Sequence, residues 1–229
     1  NSCGGTFTQV VCSDPNSTTL TGLTIGNTYF VRVYTFTSTV STTASFDICI
    51  TTPPPPPVND NCAGATTLTV NADANCAVTT SGTTVSATQS TGTAPTCNVA
   101  GINDDVWYSF TATGTTHILT ITGATNTTAA QVYSGPCGAL VAVSCSSTTS
   151  GSVTTTLSGL TATNVYYVRV YSTSSTVGTT TNYTICIGTP PPPPANDNSA
   201  GAIGLTVNPD FLCGTVTAGN TISATQSPE

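Results

Sequence analysis

The chain repeats itself at a constant offset of 137 positions. Asn59-Asp60-Asn61 returns as Asn196-Asp197-Asn198, each behind a run of five prolines, Pro53 to Pro57 and Pro190 to Pro194. Ser86-Ala87-Thr88-Gln89-Ser90 returns as Ser223-Ala224-Thr225-Gln226-Ser227. Tyr29-Phe30-Val31-Arg32-Val33-Tyr34 returns as Tyr166-Tyr167-Val168-Arg169-Val170-Tyr171, and Ile48-Cys49-Ile50 as Ile185-Cys186-Ile187. Self-similarity at a fixed period marks tandem duplication. Any acceptable fold must therefore close within one unit and be repeatable by its neighbour.

The repeat sets the expected boundaries. Residues 58–189 read as one complete module, 1–52 as the C-terminal part of another, and 195–229 as the N-terminal part of a third. Counterparts of 93–134, including those of Val106 to Phe110 and His117 to Thr122, fall in neither flanking piece. A few strands without a facing sheet are marginal, so the chain reads as a window on a longer array. The linkers 53–57 and 190–194 are polyproline spacers, semi-rigid and about 15 Å long at roughly 3.1 Å per residue. One unit repeated through one connection generates a screw operation, hence a linear or helical array.

Within 58–189 the apolar pattern has period two. Short strands are predicted over 66–70, 83–89, 106–112, 117–122, 131–133, 140–144, 153–157, 165–171 and 183–187, separated by Gly, Asn and Ser clusters. β-Branched residues dominate, which suits a pleated, half-buried surface. No stretch carries a helical apolar period over three turns. The expected fold class is all-β: tandem antiparallel β-sandwich modules, jelly-roll-like, joined by polyproline linkers.

Composition narrows the function. Two Arg, no Lys and a net charge of −7 cannot neutralise a phosphate backbone, which excludes nucleic-acid binding. Apolar runs are only a few residues long, so no membrane insertion is expected. Ten cysteines without a CxxC pair read as disulfides made in an oxidising compartment, extracellular or at a cell surface.

Several motifs follow one another in the complete unit. They are Asn59-Asp60-Asn61-Cys62-Ala63, Asp104-Asp105-Val106-Trp107-Tyr108-Ser109-Phe110, and Val132-Tyr133-Ser134-Gly135-Pro136-Cys137-Gly138. Val165 to Tyr171 and Tyr183 to Ile187 complete the set. This order resembles the secreted tandem β-sandwich repeats of Bacteroidota surface proteins, which are similar to the bacterial pre-peptidase C-terminal domain. The resemblance implies export, often through the type IX system, and service as a module of adhesins, surface fibres or exoenzymes.

The repeats prune the cysteine pairings. Cys3 and Cys12 reproduce Cys137 and Cys145 as a close couple, so each couple is expected to bond locally. Ser199 stands where Cys62 would, while Cys213 keeps the place of Cys76, which favours Cys76 with Cys97 and Cys62 with Cys186. The alternative is a bond from Cys49 to Cys62 across the linker, leaving Cys186 opposite Ser199.

Asn59, Asp60, Asp104 and Asp105 are candidates for an oxygen-only Ca²⁺ site, as in some relatives of the pre-peptidase domain. The competing reading makes them turn residues at strand ends. No other cofactor is expected. Arg169 and its repeat Arg32 lie mid-strand among aromatics and read as structural, with Asp104 or Asp105 as the partner of Arg169. Trp107, in an alternating strand, reads as core rather than as a sugar platform. His117 has no G-x-S-x-G nucleophile turn to serve, and no catalytic residue is expected. Sequons at Asn16, Asn126 and Asn182 are glycosylation candidates on a surface rich in Thr and Ser.

Together these features predict a non-enzymatic structural repeat protein of an extracellular filament or surface fibre. Its partners are copies of itself, stacked head to tail, with glycans as further candidates. The alternatives are a surface adhesin or carbohydrate-binding stalk, or the accessory repeat region of a secreted enzyme.

Overall fold

The computed structural model describes residues 6–13, 17–35, 37–97, 104–148, 151–174, 176 and 178–226. The chain divides into two compact units, Asn1–Thr51 and Thr52–Glu229.

The described residues of the larger unit form nine strands. They are β1 (Thr66–Thr67), β2 (Thr80–Thr83), β3 (Asp105–Thr111), β4 (His117–Ala124) and β5 (Thr128–Ser134), followed by β6 (Val141–Thr148), β7 (Gly151–Leu157), β8 (Val165–Ser172) and β9 (Asn182–Gly188). One sheet runs β1-β3-β8-β5-β6, the other β2-β9-β4-β7. Every strand pairing is antiparallel except the two-residue contact of β1 with β3. This is the expected two-sheet sandwich. Its core is filled by alternate residues of the central strands: Val106, Tyr108 and Phe110 from β3, Val168 and Val170 from β8, Leu119 and Ile121 from β4, Ile185 and Ile187 from β9. Tyr108 and Tyr183 bridge the two sheets through their hydroxyls at 3.0 Å, and burial raises the pKa of both phenols.

Two strand expectations shift. The predicted 83–89 strand pairs instead over 80–83, where Gly82 opposite Tyr183 admits the tyrosine rings. A Cβ there would lie 2.3 Å from Tyr108 Oη and 2.4 Å from the Tyr183 ring. Beyond it the backbone turns at Ser86, with φ +61°, and Ala87 N–H returns to Thr84 O. The predicted 66–70 strand shortens to two residues plus a parallel bridge from Val70 to Ile187.

The cysteine pairing differs from expectation. The bonds are Cys62–Cys137, Cys76–Cys186 and Cys97–Cys145, with Cα separations of 5.7, 6.0 and 6.0 Å. The local Cys137–Cys145 pair fails because Cys145 lies within β6, opposite Gln131, while Cys137 lies in the preceding turn. Cys186 alternates outward between core residues Ile185 and Ile187 and meets Cys76, not Cys62. Cys49 does not bond Cys62 across the linker either. Cys12, Cys49 and Cys213 are exposed thiols, and Cys3 lies outside the described residues.

In the smaller unit the described residues form no helix or strand. Its turn at 24–27 repeats that at 161–164: Thr24 N–H donates to Tyr29 Oη at 2.8 Å, as Thr161 N–H does to Tyr166 Oη at 2.9 Å. Val31, Val33, Phe46, Ile48, Cys49 and Ile50 line an open apolar groove of about 460 Å³.

Candidate functional site

The central strands of the five-stranded sheet, β3, β8 and β5, are buried on both faces. Its outer face presents in-register rows from β3, β8 and β5: Trp107, Arg169 and Gln131 in one, Asp105, Tyr171 and Ala129 in the next. A strap of residues 90–97 crosses this face and is hydrogen-bonded to it along its length. Ser90 N–H donates to Asp105 at 3.0 Å, and Trp107 Nε1 donates to Ser90 Oγ at 2.9 Å and to Asp105 at 3.1 Å. Thr96 donates through both N–H and Oγ1 to Gln131 Oε1, each at 2.8 Å. Tyr171 Oη closes the far end on Cys97 O at 2.6 Å, beside the Cys97–Cys145 bond.

Arg169 is the centre of this arrangement. Its Nη2 forms an ion pair with Asp105, its Nη1 donates to Thr93 O at 3.2 Å, and its guanidinium lies 5.5 Å from the Trp107 ring centroid. Arg169 and Asp105 are both almost fully buried. Removing either partner would strand a charge away from water, so the pair locks strap to sheet. Of the two partners proposed from sequence, Asp105 is the one used. Trp107 is buried under the strap, with Tyr133 at 5.7 Å between ring centroids, and offers no open sugar platform. Arg32, in the smaller unit, stacks on Tyr34 at 5.3 Å.

The four proposed calcium ligands do not form one site. Asn59 pairs with β3, accepting Trp107 N–H at 2.8 Å and donating to Trp107 O at 3.0 Å. Asp60 accepts both Thr88 N–H and Thr88 Oγ1, at 2.6 and 2.7 Å. Asp105 is taken by Arg169. That leaves Asp104, buried with neither carboxylate oxygen hydrogen-bonded among the described residues. Burial pushes its pKa up to about 6, with the Thr84 hydroxyl opposing and the Asp105 charge adding to the shift. Among the described residues no group of three or more His, Cys, Asp or Glu could hold a metal ion. The donor set does not fit calcium.

His117 is fully buried: Nε2 accepts Thr113 N–H at 3.0 Å, and Nδ1 lies 3.2 Å from Gly188 O. Both ring nitrogens are occupied by backbone, leaving none for proton transfer. Asn126 and Asn182 are exposed, whereas Asn16 lies outside the described residues. Sequence reasoning missed the strap residues Thr93, whose carbonyl accepts from Arg169, and Thr96, with its acceptor Gln131. The signal was available in Gln131 itself, an uncharged polar residue inside an apolar strand.

Where strap and sheet meet the Cys62–Cys137 bond, a hollow of about 210 Å³ opens, lined in part by Asn61, Ser90, Gly92, Trp107, Leu140 and Arg169. Pockets that enclose small ligands usually span about 300–1,000 Å³, so this one is small. A family model described as galactose-binding-domain-like, and associated with the type IX secretion system, matches residues 1–48 and 58–185, more than half of the chain. The chain belongs to this family. The family's association and the three disulfides make it a secreted or cell-surface β-sandwich protein. No curated protein matches it.

Proposed function

We propose that this galactose-binding-like protein is a structural repeat of an extracellular filament or surface fibre, its units stacked head to tail, and that it is not an enzyme. One observation carries the reading: residues 195–226 rebuild, bond for bond, the local structure of 58–89. Asp197 accepts Thr225 N–H and Oγ1 at 2.7 and 2.6 Å, as Asp60 accepts those of Thr88. Asn208 exchanges two 2.8 Å bonds with Thr215, as Asn71 does with Val78 at 2.9 and 2.8 Å. Cys213 and Ser223 take positive φ where Cys76 and Ser86 do. A unit whose turns recur so closely is suited to repetition along an axis. The buried outer face supports the same reading, because its polar side chains are spent on holding the strap rather than displayed to a ligand. Negative-stain electron microscopy of native material tests it: fibres with a regular axial repeat are expected, and independent beads on a flexible string would overturn it.

A second reading, a carbohydrate-binding stalk, is favoured by the hollow beside Arg169, whose Nε has no hydrogen-bond partner among the described residues. Titration with galactose and related sugars, followed by calorimetry, distinguishes it: saturable binding abolished by Arg169→Met would support it.

A further inference from the structure

The three disulfides of the complete unit are not equally placed. Cys186 is 5% exposed inside β9, opposite Thr120 of β4, so its bond to Cys76 is held by a central strand. Cys145 lies within β6, and the Tyr171 hydroxyl touches both sulfurs of the Cys97–Cys145 bond, at 4.0 and 3.8 Å. Cys62–Cys137 has neither feature. Cys62 belongs to the short 3-10 turn Cys62–Gly64 and Cys137 to the turn between β5 and β6, so no strand has to part for these sulfurs to move. Both cysteines are half-buried and line the hollow beside the strap.

The first segment does not depend on this bond for its shape. Asn59 pairs with Trp107, and Asp60 clasps Thr88. In the repeat, Ser199 stands at the Cys62 position, yet the turn is the same. Gly201 N–H donates to Asn198 O at 2.9 Å and Ala202 N–H to Ser199 O at 3.2 Å. Gly64 N–H donates likewise to Asn61 O at 2.8 Å and Ala65 N–H to Cys62 O at 3.1 Å. A bond that its turn can lack is suited to being opened and closed. Arg169, the one Lys or Arg of residues 58–189, lines the same hollow and offers an approaching thiolate a positive charge, shared with Asp105.

We infer that Cys62–Cys137 is a thiol-exchange site: a low-molecular-weight thiol enters the hollow and opens this bond while the other two stay closed. The thiolate attacks one sulfur of the pair, forming a mixed disulfide there and releasing the other cysteine as a thiolate. A second thiolate attacks the small-molecule sulfur of that mixed disulfide, which frees the remaining cysteine and leaves the two small thiols joined to each other. Exposed disulfides are the labile and regulatory ones, whereas shielded ones resist reduction. The unit thereby carries a reversible attachment point for thiol compounds on a sandwich still braced by two bonds.

Free L-cysteine serves as the probe on the full chain. Thiols already free are blocked by alkylation, and the protein is then exposed to graded cysteine. New thiols are trapped with a second, isotopically distinct label and mapped by mass spectrometry. Label and cysteinyl adducts should gather on Cys62 and Cys137 at least several-fold faster than on Cys76, Cys97, Cys145 or Cys186, with the circular dichroism of the sheets retained. Leu140→Trp, which fills the hollow from its wall, should slow exchange at Cys62 and Cys137 several-fold and leave the other four unchanged. Cys62→Ser combined with Cys137→Ser should keep the wild-type sheet signal and take up neither label nor adduct under the same exposure. Equal rates at all six cysteines, faster opening of either other bond, or loss of the sheet signal as Cys62 and Cys137 open would each overturn the inference. An unaltered rate in Leu140→Trp would strike out the hollow as the route of entry, and the site with it.

Discussion

Residues 58–89 and 195–226 share their turns and differ in their burial. Both hold the Asp-to-Thr clasp, the short turn of 3-10 helix at 62–64 or 199–201, and the Asn-centred loop. Only in the first does Leu68 enter a core and do 80–83 become a strand. Residues 135–188 and the smaller unit differ likewise: Val168 and Val170 are core, whereas Val31 and Val33 line an open groove. Turns are written by neighbours in sequence, since Asp, Asn and Ser side chains bond backbone a few residues away or fix a single positive φ. Strands need a partner distant in sequence, and where counterparts of β3 and β4 are not alongside, the described residues of these segments form no strand.

The contrast can be broken most severely at its covalent seam. Replacing Cys76 and Cys186 with Ser should cost about 4–5 kcal/mol, the chain-entropy value for a loop of roughly this length. Urea unfolding of the larger unit reads it. Cys213→Ser alone should leave that same transition unmoved. Next comes the strap. Arg169→Ala leaves Asp105 buried and unpaired, for a loss of about 3–5 kcal/mol. Its repeat counterpart, Arg32→Ala, should change stability by no more than about 0.5 kcal/mol. The loop asparagine sharpens the comparison further: Asn71→Ala should cost about 1–3 kcal/mol by leaving buried backbone groups unpaired, whereas Asn208→Ala should be near neutral.

The gentlest test is pH. Asp104 titrates near 6 when folded and near 3.8 otherwise, so the folded chain binds more protons between those values. Stability should therefore fall as pH rises from about 4 to about 6. Melting temperatures across that range should show the slope, and Asp104→Asn should flatten it.

Much of this fold was readable in the sequence because alternation and repetition report on it directly. Val165 to Tyr171 and Tyr183 to Ile187 alternate cleanly, and their strands fall within a residue of expectation. Ser86 to Ser90 does not: the stretch looks extended, yet Ser86 takes a positive φ and Asp60, 28 positions earlier, captures Thr88. The cysteine pairing was hidden for a related reason. Closeness in sequence favoured Cys137 with Cys145, but which face each cysteine occupies depends on the turn that follows β5. The Arg169–Asp105 contact was legible as a pair of candidates. The strap that buries it was not, since nothing in Thr93 or Thr96 announces a long-range role.

The Cys76–Cys186 bond has a mechanical consequence. It joins residues 110 positions apart, between the two proline runs that flank the unit. Under tension along the chain, the residues between Cys76 and Cys186 lie inside a covalent loop and cannot be drawn out into the load path. Load then passes through sulfur, and the sandwich between is spared. A cable of such units would yield slightly and then hold, with little further extension before a covalent bond must break.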